Sequence, residues 1–228
     1  MKHLFIAIIL FSLPLIALEA TIIELSGSVK IRRGMDEEWI GAARQMILRD
    51  IDTILTGENG SVVLSLDDER QFTLESNSIL DIADLRDITQ KELFLFLMRQ
   101  KIEKLEKRSA PAQLKLGKVS VVHGAKSEDK VSLSTSEDLW TKESNGVNAL
   151  FIHELYSNVV MKSISILRRY PDQHGCTDLY FKLASSFDAL EKKEQAETNF
   201  RRALENAKTC GDENAIEEAK AALKKLKD

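Results

Sequence analysis

The stretch that decides the fold is RDIDTILTGENGSVVLSLDDERQFTLESNSILDI, residues 49–82. Apolar residues recur there at every second position, as in Val62, Leu64 and Leu66, and short groups of Gly, Asn, Asp and Ser separate the runs. Such alternation between polar groups is typical of β-strands joined by tight turns. The same pattern begins at Thr21. We therefore predict a β region made of several short strands.

The acidic residues and glycines of this stretch also resemble a ligand site. Residues that could supply oxygen ligands to calcium are Asp50, Asp52, Glu58 and Asn59. Their spacing lacks the alternating Asp/Asn order of an EF-hand loop. The pair Gly57-x-x-Gly60 is not followed by the Lys-Ser/Thr of a phosphate-binding loop. We interpret both features as turns, because Gly and Asn accept positive φ there.

The N-terminus has the layout of a secretory signal peptide over residues 1–20. Lys2 and His3 precede an apolar run that ends at Leu18, and Ala20 supplies a small residue at the exit. An uncleaved membrane anchor is the alternative. We therefore predict a periplasmic or secreted protein. The net charge of -4 gives no reason to expect binding of nucleic acid, which needs a basic surface.

Residues 89–108 are predicted to form a helix, although a buried strand over residues 93–98 is the alternative. Four apolar residues have helical spacing: Phe94, Met98, Ile102 and Leu105. Thr89 and Glu92 match a capping box, which marks the start of a helix. Strand character returns after Pro111.

The remainder of the chain is predicted to be helical. A polar linker covers residues 127–139, and residues 140–228 are rich in Ala, Leu, Glu and Lys. The expected fold class is therefore α+β and multidomain, with an N-terminal all-β domain at 21–126 that contains one helix and a C-terminal domain of helical hairpins.

The β region resembles the FecR-like periplasmic domain. The residues that carry the resemblance are Gly27-x-Val29, Trp39, Asp52-Thr53-x-x-Thr56-Gly57, Gly60, Asp68, Leu74-x-x-Asn77-Ser78-x-Leu80 and, more weakly, Val122-His123-Gly124. The resemblance implies an exported domain that recognises a protein or a glycan. FecR-type signalling regulators carry a cytoplasmic domain before their membrane span, whereas here only Lys2 and His3 separate Met1 from the apolar run, which disfavours that class.

The tail resembles a tetratricopeptide repeat. The matching residues are Tyr180, Leu183, Ala184 and Phe187 on a first helix and Ala196, Phe200 and Ala203 on a second. Large residues opposite alanines allow two helices to pack closely. The resemblance implies a protein-binding groove on the first helices, formed here by Asp178, Lys182 and Ser185.

A degenerate repeat precedes this one, and a capping helix follows it. Val159, Ser163 and Ile166 occupy the positions of the second helix, and the first helix is expected near residues 146–152. The segment from Asp212 is expected to cap the array. Two repeats are fewer than the roughly three that an independent array needs. We therefore expect the tail to lean on the β region or on a second chain as a homo-oligomer.

The two cysteines flank the better repeat. Cys176 precedes its first helix and Cys210 follows its second, one repeat length apart. An oxidising compartment favours pairing. Equivalent points on stacked helices lie roughly 8–10 Å apart, whereas a disulfide needs Cα atoms within about 7 Å. Gly175 and Gly211 would let the loops close, so a bridge and two free thiols both stay open.

The sequence offers no catalytic constellation and no cofactor motif. His153-Glu154 begins like a zinc-protease helix, but Ser157 stands where the second His is required. We therefore predict a non-catalytic binding or scaffold protein of the bacterial cell envelope, which binds protein partners through its tail. The alternatives are a FecR-type signalling component and an enzyme acting on the cell wall.

Overall fold

The computed structural model describes residues 18–66, 70–109, 136–171 and 178–226, without the side chains of 104–109 and 136–137. An N-terminal β region is followed by helices, as the α+β prediction requires. The strands are β1 (Glu19–Ser26), β2 (Val29–Arg32), β3 (Trp39–Gly41), β4 (Ile47–Arg49), β5 (Thr53–Thr56), β6 (Ser61–Leu66), β7 (Gln71–Leu74) and β8 (Ile79–Asp81). The helices are α1 (Gln90–Ser109), α2 (Ser136–Ile152), α3 (Tyr156–Arg169), α4 (Leu179–Ala189), α5 (Lys193–Cys210) and α6 (Glu213–Lys225).

The strands form two antiparallel four-stranded sheets, in the orders β4-β1-β6-β7 and β3-β2-β5-β8. Val62, Leu64 and Leu66 of β6 are buried while the residues between them are partly exposed. This alternation is what a sheet with one buried face requires. The strands predicted from the period-two pattern at residues 62–66 and 72–74 are therefore confirmed. Ile51, expected in an early strand, lies in a turn instead and is 64% exposed.

The acids and glycines of residues 49–82 organise turns. The buried Asp52 carboxylate accepts hydrogen bonds from the Arg33 guanidinium at 2.5 Å and from the backbone N–H of Gly34 and Arg49. Gly60 lies so close to the backbone of Ser28 that a Cβ added to Gly60 would be 2.2 Å from the Ser28 carbonyl oxygen. A side chain cannot fit there, so packing explains this glycine.

Helix α1 begins at a complete capping box. The Thr89 hydroxyl accepts from the Glu92 N–H at 3.2 Å, and the Glu92 carboxylate accepts from the Thr89 N–H at 2.9 Å. Arg86 donates a further bond to the same carboxylate at 2.8 Å. Hydrogen bonding from Thr89 and Arg86 lowers the pKa of Glu92 to about 2. The predicted helix is confirmed, and the strand alternative is wrong.

Helices α2 to α6 pack in chain order, each against the next. The predicted second helix of the degenerate repeat is α3, where Val159, Ser163 and Ile166 are fully buried. The predicted capping helix is α6, whose N-terminus is capped by the Asp212 carboxylate accepting from the Ala215 N–H at 3.0 Å.

The β region and the first helices share one hydrophobic core. Buried residues that the helices add to the core of the sheets are Trp140, Val147, Ala149, Leu150, Val159, Ile166 and Leu179. Helix α2 lies against β8 and β7, which are edge strands of the two sheets. At Gly146 the approach is so close that a Cβ would lie 2.3 Å from the carbonyl oxygen of Ile79. The tail therefore leans on the β region, as its small number of repeats led us to expect.

The observed elements extend past two predicted boundaries. Strand β1 begins at Glu19, inside the segment 1–20, and Ala20 is buried between Leu48 and Leu66. Helix α2 begins at Ser136, inside the predicted linker 127–139. The apolar run of the predicted signal peptide up to residue 17 and the predicted strand after Pro111 lie outside the described residues. Within the described part of the chain, no helix is both long and apolar enough to span a bilayer.

Candidate functional site

The contact between the β region and the helices contains an ionic cluster around the buried Lys162. The Lys162 ammonium on α3 lies 2.9 Å from the Asp81 carboxylate and 2.6 Å from the Asp84 carboxylate. Asp81 ends β8, and Asp84 lies in the 3₁₀ turn that follows it. Beside this cluster the Asn158 side chain donates to the carbonyl oxygens of Asp84 and Arg86 at 2.7 and 2.8 Å. These contacts fix α3 relative to the end of the second sheet.

The titration of the cluster follows from its burial and its charges. Burial alone would raise the pKa of Asp81, but Lys162 and the Thr53 hydroxyl stabilise the carboxylate and the pKa lies below its usual value. Burial raises the pKa of Asp84, although the Lys162 ammonium acts to lower it. Burial would lower the pKa of Lys162, but the two carboxylates outweigh it and raise the pKa. Lys162 therefore stays charged because both carboxylates face it.

A polar chamber of about 180 Å³ opens beside the cluster. Its charged side chains are Arg32, Asp81, Glu143, Lys162 and Arg169. Glu143 is 7% exposed and pairs with Arg169 through one oxygen, and burial raises its pKa. Three of these groups are cationic and two are anionic, and Asp84 adds a third carboxylate beside Lys162, so the charges largely compensate one another. The chamber therefore fits an ionic joint between the two regions better than a cradle for one charged ligand.

A second cleft, of about 310 Å³, lies where α2 crosses the turn between β7 and β8. Here His153 stacks on Phe72 with ring centroids 4.5 Å apart, and its Nε2 accepts from the Thr73 N–H at 3.0 Å. Only a ring unprotonated at Nε2 can accept this bond, and burial lowers the pKa of His153. Asn145 donates to the Asn77 carbonyl oxygen at 2.7 Å. His153 thus covers a backbone N–H of the edge strand β7, which is a structural role.

The residues predicted to line a partner groove lie on and just before α4. Asp178 forms an ion pair with Lys182, one turn further on. Ser185 follows at the next position of helical spacing and is half-buried. The structure thus brings Asp178 and Lys182 together and places Ser185 on the same helix.

Asp178 also borders a cleft of about 70 Å³ between α4, α5 and α6. Its lining combines three alanines and three exposed acids with Phe181, Asn206 and Cys210; the alanines are Ala203, Ala207 and Ala215, and the acids are Asp178, Asp212 and Glu218. Lys182 and Ser185 do not line this cleft. Alanines together with exposed carboxylates suit an apolar stem with a cationic end, such as a Lys or Arg side chain.

Five of the seven residues predicted to pack the repeat belong to a second core. Its members from α4 and α5 are Leu183, Ala184, Phe187, Ala196 and Phe200. Ala203 is buried at 8% exposure. Tyr180 is half-buried and is not part of this core. The neighbouring Leu179 is buried against the core of the sheets instead.

Cys210 ends α5 and is bonded in a disulfide. The chain has one other cysteine, Cys176. It lies outside the described residues, so the pairing of Cys176 with Cys210 stays a prediction.

Sequence reasoning missed the ionic joint. Lys162 and Asp81 are far apart in the chain, and neither belongs to a recognisable motif. The one available signal was the placement of Lys162 between the apolar positions Val159 and Ile166 of a helix, where a charge needs a partner. Among the described residues, no group of His, Cys, Asp or Glu side chains has the arrangement of a metal site.

No family model matches this chain, and neither a curated protein nor a solved structure matches it.

Proposed function

We propose that this chain is an exported, non-catalytic binding and scaffold protein of the bacterial cell envelope. In this proposal the β region is a FecR-like domain that recognises a protein or a glycan, and α2 to α6 form a short tetratricopeptide-like array that binds a protein partner. The observation that carries the proposal is the cleft between α4, α5 and α6, whose lining includes three alanines and three exposed acids.

The cleft favours a partner with a basic side chain. Glu218 and Asp212 are exposed at its rim, and they lie on or beside α6, which packs firmly on α5. Helical arrays present partner surfaces on helices that each neighbour holds in place. The ionic joint at Lys162 adds to this rigidity by holding the array against the β region. A rigid surface loses little conformational entropy on binding.

A point variant tests this proposal better than removal of the tail. Deleting the helices would strip Trp140, Val147 and Leu150 from the core of the sheets, so loss of binding would then report only unfolding. We propose Glu218→Lys, which reverses a charge at the rim. The matched control is Glu217→Lys, because Glu217 is the adjacent exposed acid on the same helix and does not line the cleft.

The measurement is chemical crosslinking of the full chain in its native envelope, followed by identification of the crosslinked proteins. We expect a partner that is recovered with the wild type and with Glu217→Lys and is lost with Glu218→Lys. Equal recovery with both variants would exclude the cleft as the partner site.

A further inference from the structure

The cleft beside His153 is lined by three elements of the chain. One face of α2 lines it, because Asn145, Asn148 and Ile152 follow one another at helical spacing. The turn between β7 and β8 forms the facing wall, and Thr73 of β7 and the His153 ring complete the lining. The volume of about 310 Å³ lies at the lower end of the range of small-molecule sites, which is about 300–1,000 Å³.

The turn that borders this cleft is held in place by the chain itself. The Thr56 hydroxyl donates to the Glu75 carbonyl oxygen at 2.6 Å, and the Asn77 N–H donates to the Gly57 carbonyl oxygen at 2.9 Å. Asn145 ties the same turn to α2 through the Asn77 carbonyl oxygen. A ligand therefore meets a formed surface and does not have to order it, which keeps the entropic cost of binding low.

The hydrogen-bonding groups that the cleft leaves free are neutral. Asn145 uses its amide N–H on the turn and keeps its Oδ1 atom free, and the Asn148 carboxamide makes no hydrogen bond within the described residues. The His153 ring accepts through Nε2, so its proton is on Nδ1, where it is a free donor. The cleft thus offers uncharged donors and uncharged acceptors side by side.

We propose, on the basis of the function above, that this cleft binds a neutral sugar of one or two rings. The β region then recognises a glycan, of the two ligand classes in the proposed function. Each sugar hydroxyl both donates and accepts hydrogen bonds, so a single ring can satisfy the Asn148 carboxamide and the His153 Nδ1–H together. The exposed Ile152 offers an apolar surface to the C–H groups of the ring.

Two other ligand classes fit the cleft less well. No Lys or Arg is among the described residues that line it, and the carboxylate of Glu75 is there instead, so an anion is repelled. A peptide that adds to β7 as a further strand needs the free backbone N–H groups of that edge. The Thr73 N–H is already bonded to His153.

The test is isothermal titration calorimetry of the full chain with three neutral trisaccharides: maltotriose, cellotriose and chitotriose. We expect at least one of them to bind with a dissociation constant below about 1 mM. Asn148→Leu should raise this constant at least about 10-fold, because it removes the carboxamide and keeps the size of the side chain. The control Asn214→Leu changes an exposed asparagine of α6 that does not line the cleft, and it leaves the constant unchanged.

Trigalacturonate gives a second readout that needs no variant. It carries a carboxylate on every ring, so we expect it to bind at least about 10-fold more weakly than the best neutral trisaccharide. A wild type that binds none of the three neutral sugars at about 20 mM, or that binds trigalacturonate equally well, would overturn the proposal, as would wild-type affinity in Asn148→Leu. Crosslinking at Glu218 reports on a different surface, so a failure here would leave the protein partner of the tail standing.

Discussion

Replacing Gly146 by alanine tests the contact on which the whole architecture depends. Alanine within an exposed helix normally stabilises it by about 1 kcal/mol relative to glycine. Here the added Cβ would lie 2.3 Å from the carbonyl oxygen of Ile79, whereas ordinary contacts begin at 3.4 Å. The atom in the way belongs to the backbone, so no side-chain rotation relieves the clash, and α2 must move about 1 Å away from β8.

The expected loss follows from three contributions. Overpacking against a fixed backbone costs about 3 kcal/mol, and weakening the Asn145 hydrogen bond to Asn77 costs about 1 kcal/mol more. The higher helix propensity of alanine offsets about 1 kcal/mol of this loss. We therefore expect a net destabilisation of about 3 kcal/mol. For a chain of this size that corresponds to a Tm lower by roughly 6–12 °C.

The assay is thermal and urea unfolding followed by circular dichroism. Gly41→Ala is the control, because nothing lies within 4 Å of a Cβ there, and its effect should stay within about 0.5 kcal/mol. A Gly146→Ala variant that is more stable than the wild type would refute the close docking of α2 on β8.

Three further predictions concern titratable groups. Lys162→Met should cost about 1–3 kcal/mol near neutral pH, because it removes the charged donor that the partly exposed Asp81 and Asp84 carboxylates share. Urea unfolding should show a smaller loss near about pH 5, because Asp84 takes up a proton more readily there. The pKa of folded His153 is lowered, so its contribution to folding stability is complete above the unfolded pKa of about 6.5 and is lost as the pH falls. His153→Phe should remove this part of the pH dependence of Tm in thermal melts. A variant with the same difference in Tm between about pH 7.5 and about pH 5.5 as the wild type would contradict the bond to Thr73. The Glu92 carboxylate has a lowered pKa of about 2, so Glu92→Gln should remove the part of the acid-induced loss of helicity that begins below about pH 4.3.

Much of the local structure could be predicted from the sequence. The alternation of Val62, Leu64 and Leu66 places β6, and Thr89 with Glu92 places the start of α1, because both signals depend on neighbours in the chain. Strands β3 and β4 escaped prediction because Trp39-Ile40-Gly41 and Ile47-Leu48-Arg49 show no alternation of apolar and polar residues. Of the predicted groove residues, Lys182 and Ser185 lie on α4 and Asp178 lies just before it. The cleft beside Asp178 is completed by α5 and α6.

The sequence by itself determined which segments become strands and helices, since turn chemistry, capping and hydrophobic period act over a few residues. It also determined that residues 49–82 carry turns, as the three hydrogen bonds to Asp52 show. Only the tertiary structure decided which faces are covered. The helical spacing of α1 indicated an apolar side without saying whether the chain would bury it. The pairing of Lys162 with Asp81 and Asp84, and the contact of Gly146 with Ile79, join residues distant in sequence, and their energies exist only once the sheets and helices have packed.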